Sequence, residues 1–196
     1  MAQAATTRAS ASAATRYGGV AQALHWLVAA LVLGQFGLGW TMSDLPLGQL
    51  RFDLSQIHRS LGLTVFALVA VRLAWRLGHP PPPLPAGLPA WQRAAARTTH
   101  ALFYLLLLVQ PLIGFLQSNA ANLPVVVWGV LPLPALIASD EALGEALIEV
   151  HEIIARVLLA LILLHVAAAL RHHFLLKDDV LRRMLPRAGE RRGSTS

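Results

Sequence analysis

Apolar residues in this chain gather into four long runs, about residues 19–41, 57–77, 98–117 and 150–170, in which charged side chains are scarce. An α-helix rises about 1.5 Å per residue and the hydrocarbon of a bilayer is about 30 Å thick, so a crossing needs about twenty mostly apolar residues. Each run meets that length and predicts one transmembrane helix. The segments between them, PLGQLRFD, HPPPPLPAGLP and LPVVVWGVLPLPALIASDEALGE, are rich in Pro, Gly and charge and read as connections. A short interfacial helix is expected near residues 139–147 of the third. The pattern predicts an all-α fold: a four-helix transmembrane bundle over residues 16–187, with disordered tails at 1–15 and 188–196. The first tail is Ala, Ser and Thr without an apolar centre, which is not the pattern of a cleaved signal peptide. The first helix is therefore expected to act as an uncleaved anchor.

Composition agrees with lipid as the solvent, at 56 % hydrophobic and only 13 % charged residues. A net charge of +6 raises nucleic acid as a partner, but the cations sit at the ends of the apolar runs rather than interleaved with aromatic residues along a groove. Nucleic acid is excluded on that ground. The distribution of cations instead orients the bundle, because cytoplasmic loops carry the excess of Lys and Arg. Arg8 and Arg16 precede the first run. Arg76, Arg93 and Arg97 surround the second connection, and Arg171, Lys177, Arg182, Arg183, Arg187, Arg191 and Arg192 follow the fourth run. The first connection has only Arg51, and the third carries Asp140, Glu141, Glu145 and Glu149 without a cation. Both termini are expected in the cytoplasm.

The chain has no cysteine, so disulfides, iron–sulfur ligation and covalent haem attachment are excluded, and any redox cofactor must be held by other side chains. Histidine occurs eight times. His151 and His165 on the fourth run are about 40° apart in azimuth and about 21 Å apart along a helix axis. One face thus presents two imidazoles, one near each membrane surface, a spacing that suits two stacked haems. His58, at the start of the second run, matches His151 in depth, and His25, early in the first, matches His165. Two imidazoles fill both axial positions of a haem iron, which favours electron transfer over oxygen binding. His100, at the inner end of the third run, competes for the inner level, with a quinone or proton contact as its favoured role. His79, His172 and His173 are expected at the inner interface facing solvent or headgroups, the last two also as candidate members of a proton path.

Charges inside the runs form a second signal, because an Arg near hydrocarbon needs an anionic partner or a route to the headgroups. Arg59 adjoins His58 and Arg72 lies fourteen residues after it on the same face, so haem propionates are expected partners of Arg59 at the outer level and Arg72 at the inner. Arg156 stands four residues after Glu152, which suits a helical ion pair. Gly34, Gly37, Gly39, Gly62 and Gly114 leave room for a flat macrocycle or for close helix packing. Gln110 and Pro111 suggest a kink with a polar group at depth, compatible with a quinone pocket.

In order and spacing, the segments RYGGVAQALHWL, IHRSLG with the following VRLAWRL, THALFYLLLLVQPLIGF, VHEIIA and ALILLHVAAALRHHFLLKDDVLRRMLP resemble the bacterial cytochrome b561 family, over about residues 16–187. The resemblance implies a four-helix bundle in the bacterial inner membrane with two non-covalent b haems, and ubiquinone as an electron partner. By position it implies His25 and His165 as ligands of the cytoplasmic-side haem, and His58 and His151 as ligands of the outer one. One branch of the family oxidises superoxide outside the membrane and reduces ubiquinone; other members serve as membrane subunits of dehydrogenases. The expected function is a quinone-linked oxidoreductase with superoxide as the first-named donor. The alternatives are an electron-transfer subunit docking a separate redox protein and a haem-free scaffold or proton pathway. An anionic donor would have to approach past the acidic third connection, with Arg51, Arg59 and Arg156 as its local positive charge.

Overall fold

The computed structural model describes residues 16–83 and 87–186. The expected tails at 1–15 and 188–196 lie outside the described residues, as do Arg8, Arg187, Arg191 and Arg192. Four long helices dominate: α1 at Gly19–Asp44, α2 at Gln49–Gly78, α3 at Ala90–Ala120 and α4 at Glu141–Arg171, the last continuing into a π-helical turn at His172–Leu176. Each is long and apolar enough to cross a membrane. They alternate in direction, so the α1–α2 and α3–α4 connections share one end of the bundle, the hairpin end. The α2–α3 connection and residues 177–186 lie at the other, the base.

All four helices overrun the apolar runs that announce them. Hydropathy marks the hydrocarbon slab, whereas a helix continues as long as its residues favour one and its first N–H groups find acceptors. The clearest case is α4. The expected separate interfacial helix at 139–147 is not formed; Glu141 onward is the first stretch of α4 itself. Asp140 is the reason, since its side chain accepts a hydrogen bond from Leu143 N–H at 3.0 Å and Glu141 sits at the positive end of the helix. Asp140 N–H in turn donates to Ala120 O at 2.9 Å, joining the end of α3 to the start of α4. His58 and His151 therefore lie well inside their helices rather than at the starts, as does His100. α3 runs unbroken through Pro111.

The third connection also contains a two-stranded antiparallel hairpin, β1 at Val125–Val127 and β2 at Leu131–Leu133, not anticipated from the sequence. Its turn places Trp128 and Gly129 at φ 52° and 72°. The left-handed conformation disfavours a tryptophan, and two hydrogen bonds to α2 hold it: Trp128 N–H donates to Ser60 Oγ at 2.9 Å and its indole N–H to Thr64 Oγ1 at 3.1 Å. The hairpin is thereby pinned along α2, a turn of helix below His58.

α1 packs on α2, α2 on α3 and α3 on α4; among the described residues α1 and α4 make no close backbone approach. The buried core is Val28 and Val32 of α1 against Val65 and Val69 of α2, with Tyr104, Leu107 and Leu108 of α3 and Ile162 of α4 packed on it. At the base, residues 183–185 fold back under α1. Arg16 Nη2 donates to Leu185 O at 2.8 Å, Gln22 Nε2 to Arg183 O at 3.1 Å and the Trp26 indole N–H to Met184 O at 2.9 Å.

Candidate functional site

Two histidine clusters lie at different depths of the bundle. Toward the hairpin end, His58 of α2 and His151 of α4 face one another with ring centroids 6.3 Å apart and planes 66° apart. Toward the base, His25 of α1 and His165 of α4 repeat this arrangement at 6.3 Å and 67°. The pairs join helices that are not neighbours in the packing series, and each draws on α4. His100 of α3 belongs to the lower cluster, its ring 5.8 Å from that of His165, with Phe103 on another side of the same imidazole at 5.5 Å. All four histidines proposed as ligands from the sequence are thus brought together in the expected depth pairs, with His100 beside the lower one.

The upper pair borders a cavity of about 430 Å³, a volume within the range of about 300–1,000 Å³ typical of cofactor and ligand sites. Arg59 and Arg156 reach this cavity, as do Gln35, Gly39, Gln110 and Gly114. Arg156 is paired with Glu152 at 2.8 Å, as the spacing suggests, and both side chains are more than half exposed, at 68 % and 60 %. Its charge is largely neutralised. Arg59 differs: its Nη1 is buried and has no protein partner among the described residues. A buried guanidinium nitrogen without a protein acceptor is suited to an anionic group.

Gln35 and Gln110 bind backbone beside the upper pair. Gln35 Nε2 donates to His58 O at 3.0 Å, and Gln110 Nε2 donates to His151 O at 2.9 Å. Gln110 is accordingly committed to the neighbouring helix, which weakens its reading as a quinone contact. Gln35 escaped the sequence reading altogether, since a lone amide in an apolar run carries no signal until its neighbouring helix is known. Two of the glycines noted in the sequence adjoin the histidine rings. A Cβ added at Gly114 would lie 3.1 Å from His151 Cε1, and one at Gly39 would lie 3.7 Å from His58 Cε1. Gly62 admits Gln35, whose Nε2 would be 2.9 Å from an added Cβ, whereas a Cβ at Gly34 or Gly37 would meet nothing within 4 Å among the described residues.

Near the base, Arg72 Nε donates to the Tyr104 hydroxyl at 3.3 Å, and Arg76 lies over the Tyr104 ring at 5.8 Å. His79 stacks on Trp75 at 3.9 Å. His172 is hydrogen-bonded through Nδ1 to the Asp178 carboxylate, so it is tied to the base rather than free in solvent. His173 has a buried Nδ1 without a partner among the described residues. Burial alone would raise the Asp178 carboxyl, but hydrogen bonds from His172 and Val180 N–H together with the charge of Arg183 hold it below the ordinary carboxylate range.

Whether these residues fit a haem can be tested on the ring spacing. An imidazole bound through nitrogen at about 2.0–2.1 Å, as in metal–histidine sites, would have its ring centroid roughly 3.2 Å from the ion, so two rings sharing one ion would stand about 6.3–6.5 Å apart. Both the His58–His151 and the His25–His165 pairs have that separation. Both ring Nδ1 atoms of the upper pair are buried without a hydrogen-bond partner among the described residues, in keeping with imidazoles packed for a purpose other than mutual bonding. The donor sets fit.

Comparison with known proteins agrees with the geometry. A family model described as prokaryotic cytochrome b561 matches residues 16–187. The chain is 37 % identical over 172 residues to cytochrome b561 homolog 2 of Escherichia coli (strain K12), covering 87 % of this chain and 91 % of that protein. It is 29 % identical over 168 residues to the probable superoxide oxidase CybB of Yersinia pestis, covering 84 % and 92 %. It is also 28 % identical over 170 residues to cytochrome b562 of Cereibacter sphaeroides, covering 83 % and 90 %. With four apolar helices that carry facing histidines, and with a family match along almost all of the described chain, the protein belongs to the prokaryotic cytochrome b561 family of electron-transferring membrane cytochromes, for which b-type haem is the implied cofactor.

Proposed function

We propose that the chain binds two b haems, one between His58 and His151 and one between His25 and His165, and carries electrons between a donor at the hairpin end and ubiquinone. The observation that carries this reading is the equal 6.3 Å separation of two histidine pairs contributed by three different helices. His100 stands at 5.8 Å from His165, closer than two rings sharing one iron, which favours His25 as the second lower ligand. A b haem held by these imidazoles would supply one-electron carriage. The protein's own groups do the rest. Arg59 offers a buried, unpartnered donor to an anionic propionate at the upper level, and Arg72, steadied by Tyr104, offers a cation at the lower one. The apolar core between the levels excludes water. The cation-rich base is assigned to the cytoplasm by charge bias, which puts both termini there and the hairpin end outside.

Superoxide is the donor favoured by the likeness to the protein named probable superoxide oxidase CybB. The second reading is an electron-transfer subunit that docks a separate redox protein. It is favoured by the neutralisation of Arg156 by Glu152, which leaves Arg59 as the unpaired cation of the upper cavity among the described residues. The test is to purify the protein in mild detergent and record reduced-minus-oxidised spectra with pyridine haemochrome quantitation, for wild type, His58→Ala and His165→Ala. Two b haems per chain, a different one lost or converted to high spin in each variant, is the expected result. One haem or none, or the same haem affected twice, would overturn the ligand pairs and make His100 the next residue to change. Turnover of superoxide with a soluble quinone analogue by the purified protein then separates the two donors; inertness would leave the docking subunit.

A further inference from the structure

The first and third helices carry the same three residues at the same spacing. In α1, His25 is followed by Gln35 and Gly39; in α3, His100 is followed by Gln110 and Gly114. The contacts of these residues match as well as their positions. Gln35 reaches across to the carbonyl of His58 on α2 at 3.0 Å, and Gln110 reaches across to the carbonyl of His151 on α4 at 2.9 Å. Gly39 leaves space beside the His58 ring and Gly114 beside the His151 ring, each at the Cε1 edge. The bundle is thus two similar helix pairs, each with one helix that seats the upper histidine of the next from below its carbonyl and from beside its ring.

A carbonyl inside a helix already accepts the N–H of its own ladder, so the second donor is an addition that fixes where that residue sits against the neighbouring helix. Its presence requires room. Residue 62 is the ladder partner of His58, and as glycine it clears the approach, since a Cβ there would stand 2.9 Å from Gln35 Nε2. The amide oxygens of Gln35 and Gln110 are both buried without partners among the described residues. Each amide is therefore oriented by its donor alone, toward the histidine carbonyl. Among the described residues no side chain donates to the carbonyl of His25 or His165, so the lower pair lacks this support.

We propose that Gln35 and Gln110 are a matched pair of positioning residues that set the rotation of the His58 and His151 imidazoles, and through it the spectrum and potential of the haem they hold. The proposal rests on the two-pair reading above. It would be tested on purified holoprotein by electron paramagnetic resonance, low-temperature difference spectra and redox titration. The variants are Gln35→Leu, Gln110→Leu, Gly62→Ala and the combination of Gln35→Leu with Gly62→Ala. The two haem signals are first assigned with His58→Ala and His165→Ala. Each glutamine variant is expected to shift the low-spin signal and midpoint of the upper haem and leave the lower haem unmoved, which serves as an internal control. Gly62→Ala replaces neither a histidine nor a glutamine, yet its added Cβ would stand 2.9 Å from Gln35 Nε2 and displace that amide. It should shift the same signal in the same direction and add nothing when combined with Gln35→Leu. Where one glutamine variant fails to accumulate, the other decides, because Gly62 itself borders the upper cavity. An unchanged upper signal would overturn the proposal, and so would equal shifts of both haems, which mark a general loosening of the bundle. A wild type with fewer than two haems would instead overturn the two-pair reading, and is recognised before any glutamine variant is made.

Discussion

Gly114→Ala separates the needs of the helix from those of the site. Alanine favours a helix over glycine by about 0.8–1.0 kcal/mol, so α3 taken alone gains from the change. The added methyl would stand 3.1 Å from His151 Cε1 and 3.3 Å from its Nδ1. Carbon contacts prefer about 3.5–4.0 Å, which requires the ring to retreat by roughly half an ångström. That equals the tolerance within which ligand groups must be held, about 0.5 Å. Overpacking of this kind destabilises by about 1–3 kcal/mol, and since every 1.4 kcal/mol is tenfold in affinity, the upper haem should bind about tenfold more weakly. The assay is loss of haem from purified holoprotein to an excess of a haem-scavenging protein, followed separately at the wavelengths of the two haems. Gly34→Ala is the control, because an added Cβ there meets nothing within 4 Å among the described residues and Gly34 does not border the cavity. Retention of the upper haem as in wild type would refute the argument, as would equal loss in Gly34→Ala.

Removing the Arg59 charge with Arg59→Leu should lower the midpoint of the upper haem by an amount on the order of 1 kcal/mol, the scale of a partly buried charge interaction; potentiometric titration reads it. Arg156→Ala, which breaks an exposed ion pair, should change stability by no more than about 0.5 kcal/mol in a thermal melt, because such pairs contribute little. Arg72→Leu should lower the midpoint of the lower haem and leave the upper in place, whereas Tyr104→Phe, which keeps the charge and removes its 3.3 Å partner, should have a smaller effect in the same titration. The depressed Asp178 pKa stabilises the base above the ordinary carboxylate range, and that contribution is lost as the pH falls through the lowered value. Asp178→Asn should therefore flatten the acid limb of a stability-against-pH curve measured by proteolysis after residue 176.

The four spans and the depth pairing of His25 with His165 and His58 with His151 were legible in the sequence because both depend on one quantity, distance along a helix axis. Hydropathy marks the slab, and fourteen residues on one face mark two levels within it. Properties that depend on how helices rotate against one another were not legible. Gln35 carries no signal until α2 is known to present the His58 carbonyl to it, and the Arg72–Tyr104 contact requires the facing of α2 and α3. The β1–β2 hairpin escaped because its strands are three residues each and its turn places a tryptophan at positive φ, where only the Ser60 and Thr64 bonds make the conformation tolerable. The start of α4 at Glu141 was available in principle from Asp140 as a cap, but the acidic residues after it set 139–147 apart from the apolar run as a separate interfacial helix.

The contacts at the base have a consequence for how the chain is assembled. α1 and α4 stand at opposite ends of the packing series and, among the described residues, do not meet through their backbones, yet Arg16, Gln22 and Trp26 bind the carbonyls of Arg183, Met184 and Leu185, more than 150 residues later. During synthesis the first helix enters the bilayer long before those partners leave the ribosome, at about 5–20 residues per second. The join that finally closes the circle of helices is made by residues translated after every span, so the protein fastens itself only once its insertion is complete.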